Sequence, residues 1–251
     1  MRIIISPAKK INVDTNSLDY YQLPHFIKDT EILLDYIKSL SYDKLKSIWN
    51  CSDKIALYNY KLIKSMDLYH NLTPAILAFE GIQYQYMGQK VFTSKEFAYL
   101  EEHLRIISGF YGILRPFDGI TPYRLEMQAK LGGIIDSLYE FWNRKIFDFL
   151  FSETNCIINL ASKEYSKCIS NYLDDDKNFI TCIFGELHND KIVEKGTLVK
   201  MARGEMVRFM AKNQIKNIDD IKCFNSLNYK YIEELSNQNN LVFINQVVYE
   251  K

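Results

Sequence analysis

The chain has few of the residues that mark secreted or metal-binding proteins. Its five cysteines are an odd number spread over 251 residues, and no two of them form a CxxC pair. The four histidines are equally scattered, so no spacing typical of zinc, haem or iron–sulfur ligation occurs. We therefore expect reduced thiols in a cytoplasmic protein, with no metal site and no cofactor.

Proline, glycine and long apolar runs are also scarce. Five prolines and ten glycines, without a Ser/Gly tract or an internal repeat, favour one compact domain over residues 1–251. No window approaches the roughly 20 consecutive apolar residues of a membrane helix. The apolar run Ile3-Ile4-Ile5 stops at Ser6-Pro7, which argues against a signal peptide. We expect no membrane partner, and the sequence predicts no particular oligomeric state.

Net charge is absent as well, because 31 basic residues balance 31 acidic ones. This balance argues against a protein that coats nucleic acid with its whole surface, but it is compatible with a local basic cleft. What the chain does have is 47% hydrophobic and 14% aromatic residues, which excludes disorder as its dominant state.

Short β-branched segments alternate with patterns of helical spacing, which predicts a mixed α/β fold. We expect a central, partly buried sheet surrounded by helices, in an order that the sequence does not reveal. Candidate N-caps at Ser52, Thr93, Ser137 and Ser162 begin four helices, and a basic helix is predicted from about Arg203 to Lys212. The predicted strands are Arg2–Ser6, Ala75–Phe79, Arg105–Ser108, Cys156–Leu160, Phe179–Phe184 and Leu241–Ile244.

Lys9 and Lys10 follow the first predicted strand directly, in Ser6-Pro7-Ala8-Lys9-Lys10. Ligands of open α/β sheets bind at the carboxyl ends of the strands, so this lysine pair is well placed to meet an anion. The segment Asn159-Leu-Ala-Ser162 also leaves a predicted strand, which should place it at the same edge. The plain alternative is a strand exit with solvated lysines.

The segment from His103 to Met127 holds three of the ten glycines and two of the five prolines. Gly109 and Gly112 permit a tight turn, which loosely matches the phosphate-binding hairpin between two helices of some DNA-binding proteins. Arg115 and Tyr123-Arg124-Leu-Glu126 follow, and they combine guanidinium groups for phosphate with a carboxylate that could orient Arg124 or act as a general base. A structural loop with an Arg124–Glu126 ion pair is equally compatible.

The segment from Lys195 to Lys216 carries six basic residues against Glu205 alone. Arg208 and Lys212 can share a helix face, and Arg203-Gly204 at a helix start would offer backbone N–H groups to an anion. A solvated basic face explains this pattern as well. No P-loop, GxGxxG or GxSxG motif is present. The candidate pocket residues are Ser6, Lys9, Tyr123, Arg124, Glu126, Asn159, Ser162, Tyr165 and Arg203.

These segments resemble the signatures of the YaaA family of peroxide stress resistance proteins. The resemblance implies a mixed α/β fold with a positively charged cleft and a helix–hairpin–helix-like element. It also implies binding to duplex or branched DNA and protection against peroxide with lower free iron. The matching segments are Ser6–Lys10, 103–116, Pro122–Met127, Leu138–Trp142, Asn159–Tyr165 and Lys200–Gly204.

Carried over by position, the resemblance implies roles for Lys9, Lys10, Arg115, Tyr123, Arg124, Glu126 and Arg203. The chain departs from the family pattern at three positions. Ile82 stands where the family usually has Asp, Gln128 where it has Gly, and Asn245 where it has Arg. The first change removes a carboxylate and the last removes a positive charge.

Two hypotheses about function follow. In the first, the protein binds duplex or branched DNA without reading its sequence. In the second, it is an enzyme acting on a nucleobase or on a nucleotide-like or phosphorylated small molecule, with Glu126 as general base and Lys9, Arg124 and Arg203 as anion holders. Direct iron binding has little support. Catalytic residues are not assigned. The predicted DNA-binding residues are Lys9, Lys10, Arg115, Arg124, Lys200, Arg203, Arg208 and Lys212.

Overall fold

A mostly parallel sheet passes through the middle of the molecule. The computed structural model describes residues 1–174, 176–189 and 191–246. The strands are β1 (Arg2–Ile5), β2 (Lys10–Ile11), β3 (Thr73–Pro74), β4 (Phe79–Glu80), β5 (Leu104–Ser108), β6 (Gly112–Leu114), β7 (Gly119–Ile120), β8 (Cys156–Leu160), β9 (Asn178–His188), β10 (Lys191–Val193), β11 (Tyr229–Tyr231) and β12 (Asn240–Asn245).

The main sheet has the order β11-β12-β9-β8-β1-β5-β6, and β10 pairs with the end of β9. Strands β12, β9, β8, β1 and β5 are parallel, whereas β11 and β6 are antiparallel to their neighbours. Ile3, Ile4 and Ile5 of β1 are fully buried, as expected of a strand covered on both faces.

Helices cover the two faces of this sheet. They are α1 (Ile27–Ser39), α2 (Tyr42–Trp49), α3 (Asp53–Lys64), α4 (Ala75–Ala78), α5 (Ile82–Met87), α6 (Ser94–His103), α7 (Leu138–Trp142), α8 (Lys145–Glu153), α9 (Lys163–Ser170), α10 (Gly196–Asn213) and α11 (Ile218–Ile221). In the part of the chain described here, no helix is both long and apolar enough to cross a membrane.

The chain order creates a switch point between β1 and β8. From β1 the next strand of the sheet along the chain is β5, on one side, whereas from β8 it is β9, on the other side. The loops after β1 and β8 therefore leave in opposite directions and open a crevice at their carboxyl ends, where open α/β sheets bind ligands.

The predicted mixed α/β class and single compact domain with a central sheet are confirmed. So are five of the six predicted strands: four agree within one residue at each end, and the strand predicted at Phe179–Phe184 continues to His188. The capping box at Thr93 is present as well, because Thr93 and Glu96 exchange hydrogen bonds at the start of α6. The strand predicted at Ala75–Phe79 is wrong, because Ala75–Ala78 forms α4 and only Phe79 continues into a strand. This short run is buried on all sides, so its apolar pattern has no period that separates helix from strand.

Two further predictions are corrected. Gly109 and Gly112 lie at the turn of a β-hairpin between β5 and β6, so this segment is not a helix–hairpin–helix element. Gly112 has a φ of +73° and lies against Trp142, which explains the need for glycine. The basic helix begins at Gly196 instead of near Arg203, so the backbone N–H groups of Arg203-Gly204 lie inside α10 and not at a free helix start.

Candidate functional site

A cleft opens at the β1/β8 switch point, and we call it the central cleft. Ser6 follows β1 and Ser162 follows β8. The Ser6 hydroxyl accepts a hydrogen bond from the Ser162 backbone N–H at 2.9 Å and lies 3.3 Å from the Ser162 hydroxyl. Tyr84 donates its hydroxyl to the Ser6 carbonyl at 3.0 Å. These contacts fix the two strand exits against each other and form the base of the cleft.

The central cleft has a volume of about 610 Å³. Four other parts of the chain complete its walls: β4 with the start of α5, the loop after β7, the start of α9 and the middle of α10. Its lining residues are Ser6, Pro7, Ala8, Lys9, Lys10, Glu80, Gly81, Ile82, Gln83, Tyr84, Tyr123, Arg124, Leu125, Glu126, Ser162, Glu164, Tyr165, Lys200 and Arg203.

Basic side chains outnumber acidic ones in this lining, five to three. Two lysines at the rim are paired: Lys9 Nζ lies 2.6 Å from a Glu126 oxygen, and Lys10 Nζ lies 2.7 Å from Glu80. Both lysines remain largely exposed, so these ion pairs contribute little to stability and can rearrange around a ligand.

Three buried N–H donors of the central cleft lack a hydrogen-bond partner among the described residues: Arg124 Nε, Arg203 Nε and Gln83 Nε2. A buried donor without a partner costs free energy, so a cleft that collects three of them is unusual for a purely structural site. All three groups need a hydrogen-bond acceptor, such as a phosphate or carboxylate oxygen.

Arg203 is the most deeply placed of the cationic groups. Its side chain is 13% exposed, and its contact with a carboxylate is Glu194 at 4.0 Å, which is too long for a hydrogen bond. Burial lowers the pKa of the Arg203 guanidinium, and the charge of Glu194 offsets part of this effect. An anion in the cleft would supply hydrogen bonds to the guanidinium and a closer countercharge than Glu194.

Close packing of two helices brings Arg203 to this position. The neighbouring Gly204 faces α5, where an added Cβ would lie only 2.1 Å from the Gln83 carbonyl oxygen. Without a side chain at residue 204, α10 can approach α5 closely enough to place Arg203 and Gln83 on the same cleft.

Three tyrosines line the cleft, and their phenol groups are neutral. Burial raises the pKa of Tyr84, Tyr123 and Tyr165 above the usual value of a phenol. The Tyr123 hydroxyl is also held at 2.7 Å from the Ser108 hydroxyl. Burial raises the pKa of Glu164 too, and this carboxylate accepts a hydrogen bond from the Gln128 backbone at 3.2 Å.

The structure brings eight of the nine predicted pocket residues together in the central cleft. The ninth, Asn159, lines an adjoining depression of about 1090 Å³ that shares Ser162, Lys200 and Arg203 with the central cleft. We call it the amide cleft, because its lining includes Asn159, Asn178, Gln238, Asn239 and Asn240.

Of the eight predicted DNA-binding residues, Lys9, Lys10, Arg124, Lys200 and Arg203 line the central cleft. The other three lie elsewhere. Arg115 leaves the antiparallel strand β6 at the opposite end of the sheet, where it pairs with Glu153 at 3.2 Å.

Arg208 and Lys212 lie further along α10. The Arg208 guanidinium lies beside Gly88, and Lys212 lies about 14 Å along the helix axis from Arg203.

Lys9, Arg124 and Glu126 also line a third depression of about 560 Å³, which we call the lysine groove because Lys44 and Lys130 belong to it. Its lining contains four basic residues and, as its acidic residue, Glu126. Lys44 and Lys130 were not predicted, because they come from separate segments without a motif.

Gln83, Glu80 and Glu164 were also missed. Glu164 lies inside the segment Asn159–Tyr165 that resembles the family signatures, whereas Glu80 and Gln83 flank the departure at Ile82. The departure at Ile82 lines the central cleft, whereas the Asn245 side chain bonds the Leu227 carbonyl at 3.2 Å outside it. Among the described residues, no three His, Cys, Asp or Glu side chains gather in a way that could hold a metal ion.

Fold and site together define an α/β protein with a predominantly basic cleft at a strand switch point. The model of the family described as peroxide stress protein YaaA matches residues 1–235. The chain therefore belongs to the peroxide stress protein YaaA family, and this membership supports a role in peroxide stress.

Curated relatives carry the name UPF0246 protein. The chain is 53% identical to the one from Agathobacter rectalis, over 97% of this chain and 98% of the relative. It is 52% identical to that from Lachnoclostridium phytofermentans, covering 97% and 96%. It is 51% identical to that from Pediococcus pentosaceus, covering 97% and 98%.

Proposed function

We propose that the protein binds DNA in the cytoplasm during peroxide stress, with the central cleft holding backbone phosphate and reading no sequence. The observation that carries this proposal is the pair of partly buried arginines, Arg124 and Arg203, whose buried Nε donors have no partner among the described residues. Phosphate oxygens satisfy such donors with bidentate, charge-assisted hydrogen bonds.

The lysine groove extends this cationic surface beyond one phosphate. It meets the central cleft at Lys9 and Arg124 and adds Lys44 and Lys130. A backbone that crosses both depressions would meet basic groups in each of them, and these outnumber the acidic groups, although the whole chain has no net charge. Contacts of this kind position a strand without base specificity.

The test is fluorescence anisotropy of labelled duplex and four-way-junction DNA at several salt concentrations. The variant Arg124→Ala/Arg203→Ala should bind more weakly. Its log affinity should also fall less steeply with log salt, by about 2 units of slope, because two fewer phosphates are neutralised.

Arg208→Ala/Lys212→Ala is the matched control, since it removes the same charge from α10 outside the central cleft. Unchanged binding of the Arg124/Arg203 variant, or an equal loss in both variants, would contradict the assignment of DNA to this cleft.

A second candidate is an enzyme acting on a nucleotide-like small molecule. The observation in its favour is the size of the central cleft, about 610 Å³, which matches small-molecule sites and is too small to enclose a duplex. Glu126 is the candidate base, and Lys9 lies against it at 2.6 Å. Binding and turnover of a nucleotide fragment, with turnover lost in Glu126→Gln, would favour this candidate; an absence of any ligand in a broad metabolite screen would oppose it.

A further inference from the structure

The amide cleft is a part of the sheet face that none of the described helices covers. Strand β9 forms its floor, and α9 and α10 stand on either side as walls. In α/β proteins helices normally cover both faces of a parallel sheet. Here Thr181 and Ile183 of β9 remain partly exposed between the two helices. The opening is therefore a feature of the fold and not a surface irregularity.

A row of polar side chains crosses this floor. Asn159 on β8 is in register with Thr181 on β9, and Thr181 is in register with Asn240 on β12. In-register residues of parallel strands point to the same face, and neighbouring strands lie about 4.8 Å apart. The three side chains therefore span roughly 10 Å and present amide and hydroxyl groups to one ligand-sized space.

Part of this row is held in place. The Asn159 amide nitrogen donates to the Thr181 hydroxyl at 3.2 Å, and its oxygen accepts from the Ala161 backbone at 2.9 Å. Asn240 bonds Asn237 at 3.2 Å. Because the Thr181 oxygen accepts from Asn159, its own proton is directed toward other acceptors.

Apolar surface lies on both sides of the row. Phe179 and Ile183 flank Thr181 at two residues' distance on β9, so they point to the same face, and Val199 faces them from α10. Nucleobases are bound by this combination: apolar or aromatic surface meets the face of the ring, and amide or hydroxyl groups meet its edge.

Arg203 connects the two clefts, because it lines both together with Lys200 and Ser162. A phosphate on Arg203 would leave its attached sugar and base beside the amide cleft. We propose that the amide cleft binds the nucleoside part of a nucleotide whose phosphate occupies the central cleft. This inference rests on the proposed phosphate binding. The nucleotide comes either from the free pool or from an unpaired position in a DNA strand, and both sources present the same chemistry.

The test compares deoxyadenosine monophosphate, deoxyribose 5-phosphate and inorganic phosphate by calorimetric titration of the full chain. The nucleotide should bind at least about tenfold more tightly than deoxyribose 5-phosphate, because hydrogen bonds to a base edge give discrimination of this size. Thr181→Val keeps the side-chain shape and should remove several-fold of this preference without changing phosphate affinity. Thr197→Val, an exposed position on α10 outside both clefts, is the control.

Equal affinity for the nucleotide and deoxyribose 5-phosphate, with both lost in Arg203→Ala, would overturn the nucleoside site and leave the phosphate site standing. If the wild-type protein binds none of the three ligands and no DNA, the proposed function itself is rejected. If Thr181→Val does not fold, hydrogen exchange of the wild type decides: the nucleotide, unlike phosphate, should protect amides of β9 and α9, and equal protection by both contradicts the inference.

Single-stranded oligonucleotides with and without one abasic position separate the two sources. A preference for the intact strand that Thr181→Val removes assigns the cleft to a nucleotide of DNA. A preference confined to the free nucleotide assigns it to the small-molecule pool.

Discussion

Arginines lie at both ends of the parallel strands, and their surroundings are opposite. At the amino ends, Glu153 at the end of α8 accepts from Arg2 at 3.1 Å, Arg105 at 2.8 Å and Arg115 at 3.2 Å. At the carboxyl ends, the buried Nε atoms of Arg124 and Arg203 have no partner among the described residues.

This difference separates structural charge from charge that is available to a ligand. Glu153 connects β1, β5, the exit of β6 and α8 through one carboxylate, so its arginines are already used by the fold. A buried N–H donor without a hydrogen-bond partner lowers stability, and such groups persist where they serve function. The residue type alone does not distinguish the two arginine groups, but a direct hydrogen bond from the guanidinium to an internal carboxylate does.

The largest expected effect comes from removing the shared carboxylate. Glu153→Ala leaves three guanidinium groups without their partner, two of them mostly buried, and should lower the free energy of unfolding by about 4 kcal/mol. Urea denaturation measures this change. Glu194→Ala at the other end is the control, because Glu194 is 43% exposed and 4.0 Å from Arg203; we expect less than about 0.5 kcal/mol there. Similar losses of unfolding free energy in both variants would contradict the distinction between the structural arginines around Glu153 and the arginines of the cleft.

A pH titration of stability tests the same carboxylate in the wild type. Burial alone would raise the pKa of Glu153, but the hydrogen bonds and charge of Arg105, with Arg2 and Arg115, lower it to about 2 from 4.5. Because the pKa is lower in the folded state, this stabilisation is fully present above pH 4.5 and is lost as the pH falls toward 2. The loss should be about 3 kcal/mol.

Glu153→Gln provides the reference for this measurement, since the other carboxylates titrate equally in both proteins. The difference in unfolding free energy between the two proteins should shrink between pH 5 and pH 2, values that follow from the two pKa values of about 2 and 4.5. A constant difference over that range would show that Glu153 is not held ionised by its arginines.

The sequence predicted the strand core and most of the cleft because both depend on local signals. The β-branched apolar run Ile3–Ile5 is typical of a strand that is covered on both faces. Ser6 and Asn159 could be assigned to one sheet edge, since the carboxyl ends of parallel strands coincide. The helix after Ser52 was also predicted, but its buried face was not: Ile55 and Tyr58 are exposed, and Ala56 and Ile63 are buried.

The rest depended on contacts between distant residues. Arg115 and Arg124 stand nine positions apart with similar neighbours, yet the first leaves β6 toward Glu153 and the second enters the cleft. The antiparallel direction of β6 determines at which end of the sheet Arg115 lies. The order and direction of the strands could not be predicted from the sequence. Likewise, residue 204 must be glycine because the Gln83 carbonyl oxygen lies against it. Gln83 is 121 residues away along the chain, so no local sequence pattern predicts this contact.

The smallest expected effect is that of replacing Arg203, at the carboxyl ends of the parallel strands. Arg203→Met keeps much of the side-chain volume and removes a buried charge whose Nε lacks a partner in the described residues. The free energy of unfolding should therefore stay constant or rise by up to about 1 kcal/mol, while DNA affinity falls. Arg105→Met, at the other end, removes a guanidinium that bonds Glu153 and should be clearly destabilising. A loss of more than about 2 kcal/mol in Arg203→Met would mean that Arg203 belongs to the scaffold like Arg105, and the distinction between the two ends of the sheet would no longer identify the ligand site.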